Sequence, residues 1–188
     1  GEYMKRLDYR ITGNDMQFLQ KFIGKKFCYY HAEQLNFSNS IFENVEICTD
    51  NGTFLITNHI YPVDYFGSEE DICLLKIDNI AKLPNNNTDS ITKNVINRTI
   101  KEIQVIQENQ KLFRNDKLIY DVLITRGLVF VMDDNYEILF EKTNPFVETL
   151  DICRGYNSLS SQIAPFDDIK EEFEEPYKLI ATRNIQKI

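Results

Sequence analysis

The chain has 188 residues, 43% hydrophobic and 27% charged, the balance of a folded globular chain long enough to bury a core. Its formal net charge is −8, spread evenly: residues 1–97 carry 9 basic and 13 acidic side chains, residues 98–188 carry 12 and 16. An evenly acidic surface without a Lys/Arg cluster repels phosphate backbones, so nucleic acid is not an expected partner. A protein partner with a basic surface, or simple solubility, fits better.

The apolar runs, such as residues 118–120 and 128–132, are short, and none could span a bilayer as a helix. Residues 1–12 carry charges throughout, so no secretory leader is read there. The four cysteines, Cys28, Cys48, Cys73 and Cys153, are widely spaced. They are expected to be reduced thiols on buried strand faces of a cytoplasmic protein. Cys28 and His31 stand at a Cys-x-x-His spacing, but a zinc site needs more ligands than these two, so no metal and no cofactor is expected.

In chain order, the first predicted element is a short helix over residues 15–23, with Asn14 or Asp15 as N-cap, Gly24 as stop, and Phe18, Leu19 and Phe22 on its apolar face. Residues 45–57 predict a β-hairpin: two apolar-rich runs flank Asn51-Gly52, which tolerate the positive φ of a tight turn. Residues 84–90, with three consecutive asparagines, read as a linker. Residues 100–113 and 118–125 pair as a second hairpin across Asn115-Asp116, with Ile103 and Val105 on one face and Glu102, Gln104 and Ile106 on the other. Residues 129–141 form a third, turning at Asp134-Asn135. The last element is an acidic amphipathic helix over residues 167–175, capped by Asp167 or Asp168 and ended by Pro176, with Phe166, Ile169 and Phe173 as its apolar stripe.

The first and third hairpins align at an offset of 84 residues, matching Val45 and Ile47 to Val129 and Val131, and Phe54 and Ile56 to Ile138 and Phe140. A proline connection follows each, with Pro62 and Pro145, then Phe66 or Phe146, then Asp71-Ile72-Cys73 or Asp151-Ile152-Cys153. Collinearity of these features suggests internal duplication. The expected fold is β-rich α+β: a mostly antiparallel sheet built from two repeated hairpin units, with two short peripheral helices. The units would span residues 1–84, with the N-terminal helix, and 91–188, with the acidic helix, either as two units or as one continuous domain.

Catalytic templates are sparse. Two histidines, seven glycines and no phosphate loop, serine elbow or His-Glu-x-x-His leave little for triad or phosphoryl chemistry. Carboxylates are plentiful at Glu69-Glu70-Asp71, Asp133-Asp134, Glu141, Glu148 and Asp151, and three converging in a pocket would hold a divalent ion. Arg126 and Arg154 fall at expected strand ends, where Glu141 or Glu148 could pair with them. No catalytic residue is singled out. The favoured function is a non-enzymatic, acidic interaction protein of bacterial or phage type, immunity- or inhibitor-like, with Glu171, Glu172, Glu174 and Glu175 binding a basic protein partner. The alternative is a carboxylate-based metal-dependent hydrolase or small-ligand-binding enzyme.

Overall fold

Period-2 alternation of apolar residues makes most of this chain strand. The computed structural model describes residues 3–35, 39–79, 91–156 and 158–188; among these are ten strands and one α-helix. They run β1 (Lys5–Asp8), α1 (Gly13–Gln20), β2 (Lys26–Gln34), β3 (Ser40–Thr49), β4 (Gly52–Tyr65) and β5 (Ser68–Asp78). Then come β6 (Ile91–Arg114), β7 (Lys117–Met132), β8 (Glu137–Glu141), β9 (Thr149–Gly155), and β10 (Tyr177–Lys187).

Six strands close on themselves. β2 pairs β3 and β6, β6 pairs β7, β7 pairs β8, β8 pairs β9, and β9 returns to β3, all antiparallel. Alternate residues of a strand serve opposite edges, and β6 shows this at the closure. Ile100 accepts from Gly24 N at 2.7 Å and donates to Lys25 O at 2.8 Å, on the β2 side, while Thr99 O accepts from Asp133 N at 2.9 Å, on the β7 side. Inside the ring pack Phe27, Tyr30, Val45, Ile47, Ile103, Val105, Leu128, Phe130, Ile138 and Phe140. Closure leaves these strands with few open edges to template aggregation.

The helix α1 packs on this core through Leu19, and Phe18 and Phe22 meet Phe54 edge-on or tilted with centroids 5.7 and 4.8 Å apart. Its N-cap is Thr12 rather than Asn14 or Asp15: Thr12 Oγ1 accepts from Asp15 N at 3.1 Å, and Asp15 accepts from Thr12 N at 2.8 Å. That reciprocal capping box satisfies two otherwise orphaned donors, which places Asp15 three residues inside the helix.

β4 and β5 run past the end of β3, and their far halves lie over the extended ends of β6 and β7. There Tyr65, Ile72 and Leu74 meet Leu112, Ile119, Val122 and Leu179 in a second core. β10 lines the free edge of β6, and β1 adds to β7 as a parallel strand, so the sheet is mostly antiparallel. Pro62 is not in a connection but inside β4, opposite Asp71. The β3 pairing of β4 ends at Thr57, so no strand there asks for the N–H that proline lacks.

The structure does not confirm the repeated hairpin units. Val45 pairs Ile56, whereas Val129 pairs Leu139, one residue short of the aligned Phe140. A one-residue slip flips faces. Val45 and Ile47 accordingly point into the ring, while Val129 and Val131 join a separate cluster with Ile106, Leu159 and Ile163. The turns differ too: Asp50-Asn51 is a two-residue turn between Thr49 and Gly52, while Asp134-Asn135 lies between paired Val131 and Glu137. Strands from residues 1–84 and 91–188 pair with one another, β2 with β6 and β3 with β9, within one sheet. The linker expected at residues 84–90 lies outside the described residues.

The second expected α-helix is absent. Residues 168–172 form one 3-10 turn (Asp168–Glu172), the chain is extended at Phe173, and the Glu175–Pro176 peptide is cis. Asp167 makes no side-chain cap, and the glutamates three and four apart would repel on an α-helix. The residue before a proline is also biased away from helix.

Candidate functional site

The tip of the β4–β5 hairpin carries an aromatic side chain in a glycine-like conformation. Phe66 has φ +58° and Gly67 φ +93°, between paired Tyr65 and Ser68. A left-handed aromatic residue costs roughly 1–2 kcal/mol, and its ring contacts hold it there. Phe66 packs against Tyr65, Tyr120 and Phe173 with centroids 4.6, 6.0 and 5.4 Å away. Gly67 has no room for a side chain, because a Cβ would lie 2.6 Å from the Tyr120 hydroxyl.

Phe66 and Phe173 together wall two clefts. One, about 430 Å³, is lined by Tyr3, Lys5, Leu112, Ile119, Tyr120 and Tyr177 besides these two, and Lys5 is ion-paired with Asp64. The other, about 390 Å³, is lined by Tyr65, Phe66, Ser68, Glu70, Phe146, Glu172 and Phe173. Among the described residues its lining thus combines four aromatic rings with two carboxylates and contains no lysine or arginine. The Tyr65 hydroxyl is fixed by donating to Gln110 Oε1 at 2.7 Å, and burial pushes its pKa well above the ordinary tyrosine value.

The four glutamates expected to bind a partner all lie beside this cleft's wall and all are exposed. Without an α-helix, Glu171, Glu174 and Glu175 do not share a helical face; Glu171 and Glu172 end the 3-10 turn, and Glu174 and Glu175 follow Phe173. Of the four, Glu172 lines the cleft. Ile169 is buried in the second core and Phe173 packs against it, as the apolar stripe predicts.

Behind the segment lies a buried polar network. Arg126 Nη1 donates to Glu108 Oε1 at 3.0 Å and to Ala164 O at 2.8 Å, and Nε donates to Lys142 O at 3.0 Å. Its guanidinium lies 3.6 Å from the Phe166 ring centroid, and Phe166 N donates to Glu108 Oε1 at 3.1 Å. Arg126 lies within β7 rather than at a strand end, and its close partner is Glu108; Glu141 is 4.0 Å away. Burial lowers the Arg126 pKa and raises that of Glu141. Lys142, fully buried, donates from Nζ to Cys73 O, and burial pulls its pKa down to about 7. Arg154 Nε donates to the Tyr136 hydroxyl at 2.6 Å.

The carboxylate-based alternative needs three acids converging in a pocket. Glu43 (φ +41°) and Glu148 do meet: the hydrogen bond that a protonated Glu43 donates to Glu148 raises the Glu43 pKa to about 7, with burial and the charges of Glu148 and Glu33 adding to it. This pair lines none of the three clefts described, the third being formed by Tyr30, Gln34, Asn39, Ile41, Asn94, Ile152 and Arg154. All four cysteines are free; Cys48 and Cys73 are buried, but Cys28 is half-buried and Cys153 exposed, so the thiols are not uniformly core residues. Cys28 lies at an irregularity in β2, and His31 instead meets Glu46 and Cys48 of β3. Among the described residues no helix is long and apolar enough to cross a membrane.

No family model, curated protein or solved structure matches this chain. In the sequence Phe66 and Phe146 stand out only as matched positions of the apparent repeat and Glu70 only within a carboxylate run; a local signal for the site is Phe66-Gly67 ending an alternating run, a turn dipeptide with an aromatic where small polar residues are usual.

Proposed function

We propose that the protein is a non-enzymatic binding protein that docks a partner with a basic surface. A lysine or arginine side chain of that partner enters the cleft between Tyr65, Phe66, Phe146 and Phe173, with Glu70 and Glu172 meeting its charge. The observation that carries this reading is the lining itself: aromatic faces attract cations, the carboxylates add direct charge, and among the described residues no basic lining residue competes. Glu171, Glu174 and Glu175 extend the negative field outside the cleft and steer approach. An immunity- or inhibitor-like role in a bacterial or phage setting is consistent with the net charge of −8 and the scarcity of catalytic motifs.

The test uses a short peptide rich in arginine and lysine, titrated against the isotope-labelled protein. Backbone shifts should centre on Phe66, Glu70, Phe146 and Phe173. Glu70→Gln with Glu172→Gln should weaken binding by about tenfold, the effect of a lost charged contact of ~1.4 kcal/mol. Reversal of Glu171, Glu174 and Glu175 to lysine should slow association and flatten its salt dependence. Shifts scattered over the acidic surface, with the cleft variants binding as before, would refute it.

A further inference from the structure

On the outer wall of the ring, away from the cleft, three different metal-ligating side chains meet. His31 of β2 stands directly opposite Glu46 of β3, and Cys48 follows two residues along the same face. His31 Nδ1 lies 3.2 Å from Glu46 Oε1, and Cys48 Sγ lies 3.3 Å from the same oxygen. The three ligand atoms all fall within 4.8 Å of one another, and this is the one such group of three among the described residues. Zinc binds His nitrogen and carboxylate oxygen at about 2.0–2.1 Å and thiolate at about 2.3 Å. A tetrahedron with those bonds has edges of about 3.3 Å between nitrogen and oxygen and about 3.5 Å between sulfur and oxygen. Two edges of that tetrahedron are therefore close to their required lengths, and the His–Cys edge is no longer than 4.8 Å.

From this geometry we infer that His31, Glu46 and Cys48 form a zinc-class transition-metal site, three protein ligands with a fourth position open to solvent. A nitrogen, an oxygen and a sulfur donor together suit a borderline-soft ion such as Zn²⁺, not Mg²⁺ or Ca²⁺, which take oxygen cages. The site is reachable: the His31 and Glu46 side chains are 29% and 17% exposed. It is also pre-ordered, since all three donors sit on paired strands rather than loops. Tyr29, across from Cys48, packs against His31 with centroids 4.8 Å apart and the rings tilted by 51°, which restricts the imidazole. Lys93, across from His31 on β6, holds its ammonium 4.2 Å from the Tyr29 ring centroid. On binding, the metal–sulfur bond replaces the Cys48 S–H bond and the proton passes to solvent.

Co²⁺ added to the purified protein should give one equivalent of a thiolate-to-cobalt charge-transfer band, abolished by stoichiometric Zn²⁺. Cys48→Ser should remove the band, and His31→Asn and Glu46→Gln should each weaken Zn²⁺ binding by at least about tenfold, while Cys28→Ser leaves it unchanged. In the unsubstituted protein, Zn²⁺ should slow alkylation of Cys48 at least about tenfold and leave Cys153 untouched, a readout independent of how the variants fold. No charge-transfer band, a band that survives Cys48→Ser, unchanged affinity in His31→Asn, or no selective protection of Cys48 overturns the assignment.

Discussion

Lys142 is the most consequential buried charge in the molecule, and Lys142→Met tests how it is held. Its side chain is fully buried and its ammonium faces the Cys73 carbonyl. Burial depresses its pKa from 10.5 to about 7, with the Cys73 and Glu108 charges opposing and Arg126 adding to the depression. A lysine whose folded pKa lies below its unfolded one binds a proton more readily unfolded, so between those values stability must rise with pH. The penalty is full well below pH 7, falls as pH rises through the folded pKa, and vanishes above pH 10.5. At 1.36 kcal/mol per unit, the wild type bears roughly 4 kcal/mol of it at pH 7 and roughly 2 at pH 9. Methionine removes the penalty but leaves the Cys73 carbonyl without this donor, a loss of about 1–3 kcal/mol. The variant should therefore be more stable than wild type by about 1–3 kcal/mol at pH 7, and that advantage should shrink by about 2 kcal/mol by pH 9. Urea unfolding of both proteins across pH 7–9 measures the difference directly. Burial raises the Cys48 pKa to about 12 and also raises that of Cys73, which lowers stability above pH 9, but both proteins share those thiols. A stability difference independent of pH over this range would show that Lys142 stays charged in the folded core and refute the reasoning.

Two further outcomes follow from packing. Gly127→Ala should destabilise by about 1–3 kcal/mol, read as a lower urea midpoint with an unchanged m-value, because a Cβ there would lie 2.6 Å from the Phe140 carbonyl and 3.3 Å from Glu141 Cα. Thiol titration of the native protein should modify Cys153 first and Cys48 and Cys73 slowest, with four sulfurs counted on unfolding, since the latter pair is buried and burial raises both their pKa values.

The hairpins were legible because turn chemistry and period-2 patterning are local. Asn115 and Asp116 take φ +48° and +62°, and Asn135 takes +68°, the left-handed geometry these residue types tolerate. Ile103 and Val105 face the ring as their alternation predicts, and Ile106 lies on the opposite face. What could not be read was anything fixed by distant pairing. Closure depends on Ser40–Phe42 meeting Thr149–Asp151, more than 100 residues apart, and neither segment announces its partner. The residue-level repeat failed for a related reason: similar residue types at similar spacing do not specify which face a strand buries, and the longer β7–β8 turn shifts the register by one. Charged side chains misled in the same way. Glu108, Arg126 and Lys142 have the sequence context of solvated strand residues, yet each is at most 3% exposed, because a second layer of chain crosses over them.

That second layer connects the buried charges to the cleft. Glu108 accepts from Arg126, from Phe166 N and, at its other oxygen, from Gln110 Nε2 at 2.7 Å; Gln110 in turn accepts from Tyr65. One carboxylate thus ties the start of the 166–173 segment to β7, and through Gln110 to the end of β4, the two elements whose Phe66 and Phe173 wall the cleft. Apolar packing alone would hold these elements together, since replacing a buried ion pair by hydrophobic side chains of matching volume is often neutral or stabilising. It would not fix where they sit to within a hydrogen-bond length. The left-handed Phe66 has the same character: it is a local cost tolerated because Tyr65, Tyr120 and Phe173 surround the ring. The unfavourable Phe66 backbone and the buried Glu108–Arg126 pair therefore adjoin one cleft, and each is compensated by specific contacts. On the binding role proposed above, such fixed placement is what a cleft that receives a single side chain requires.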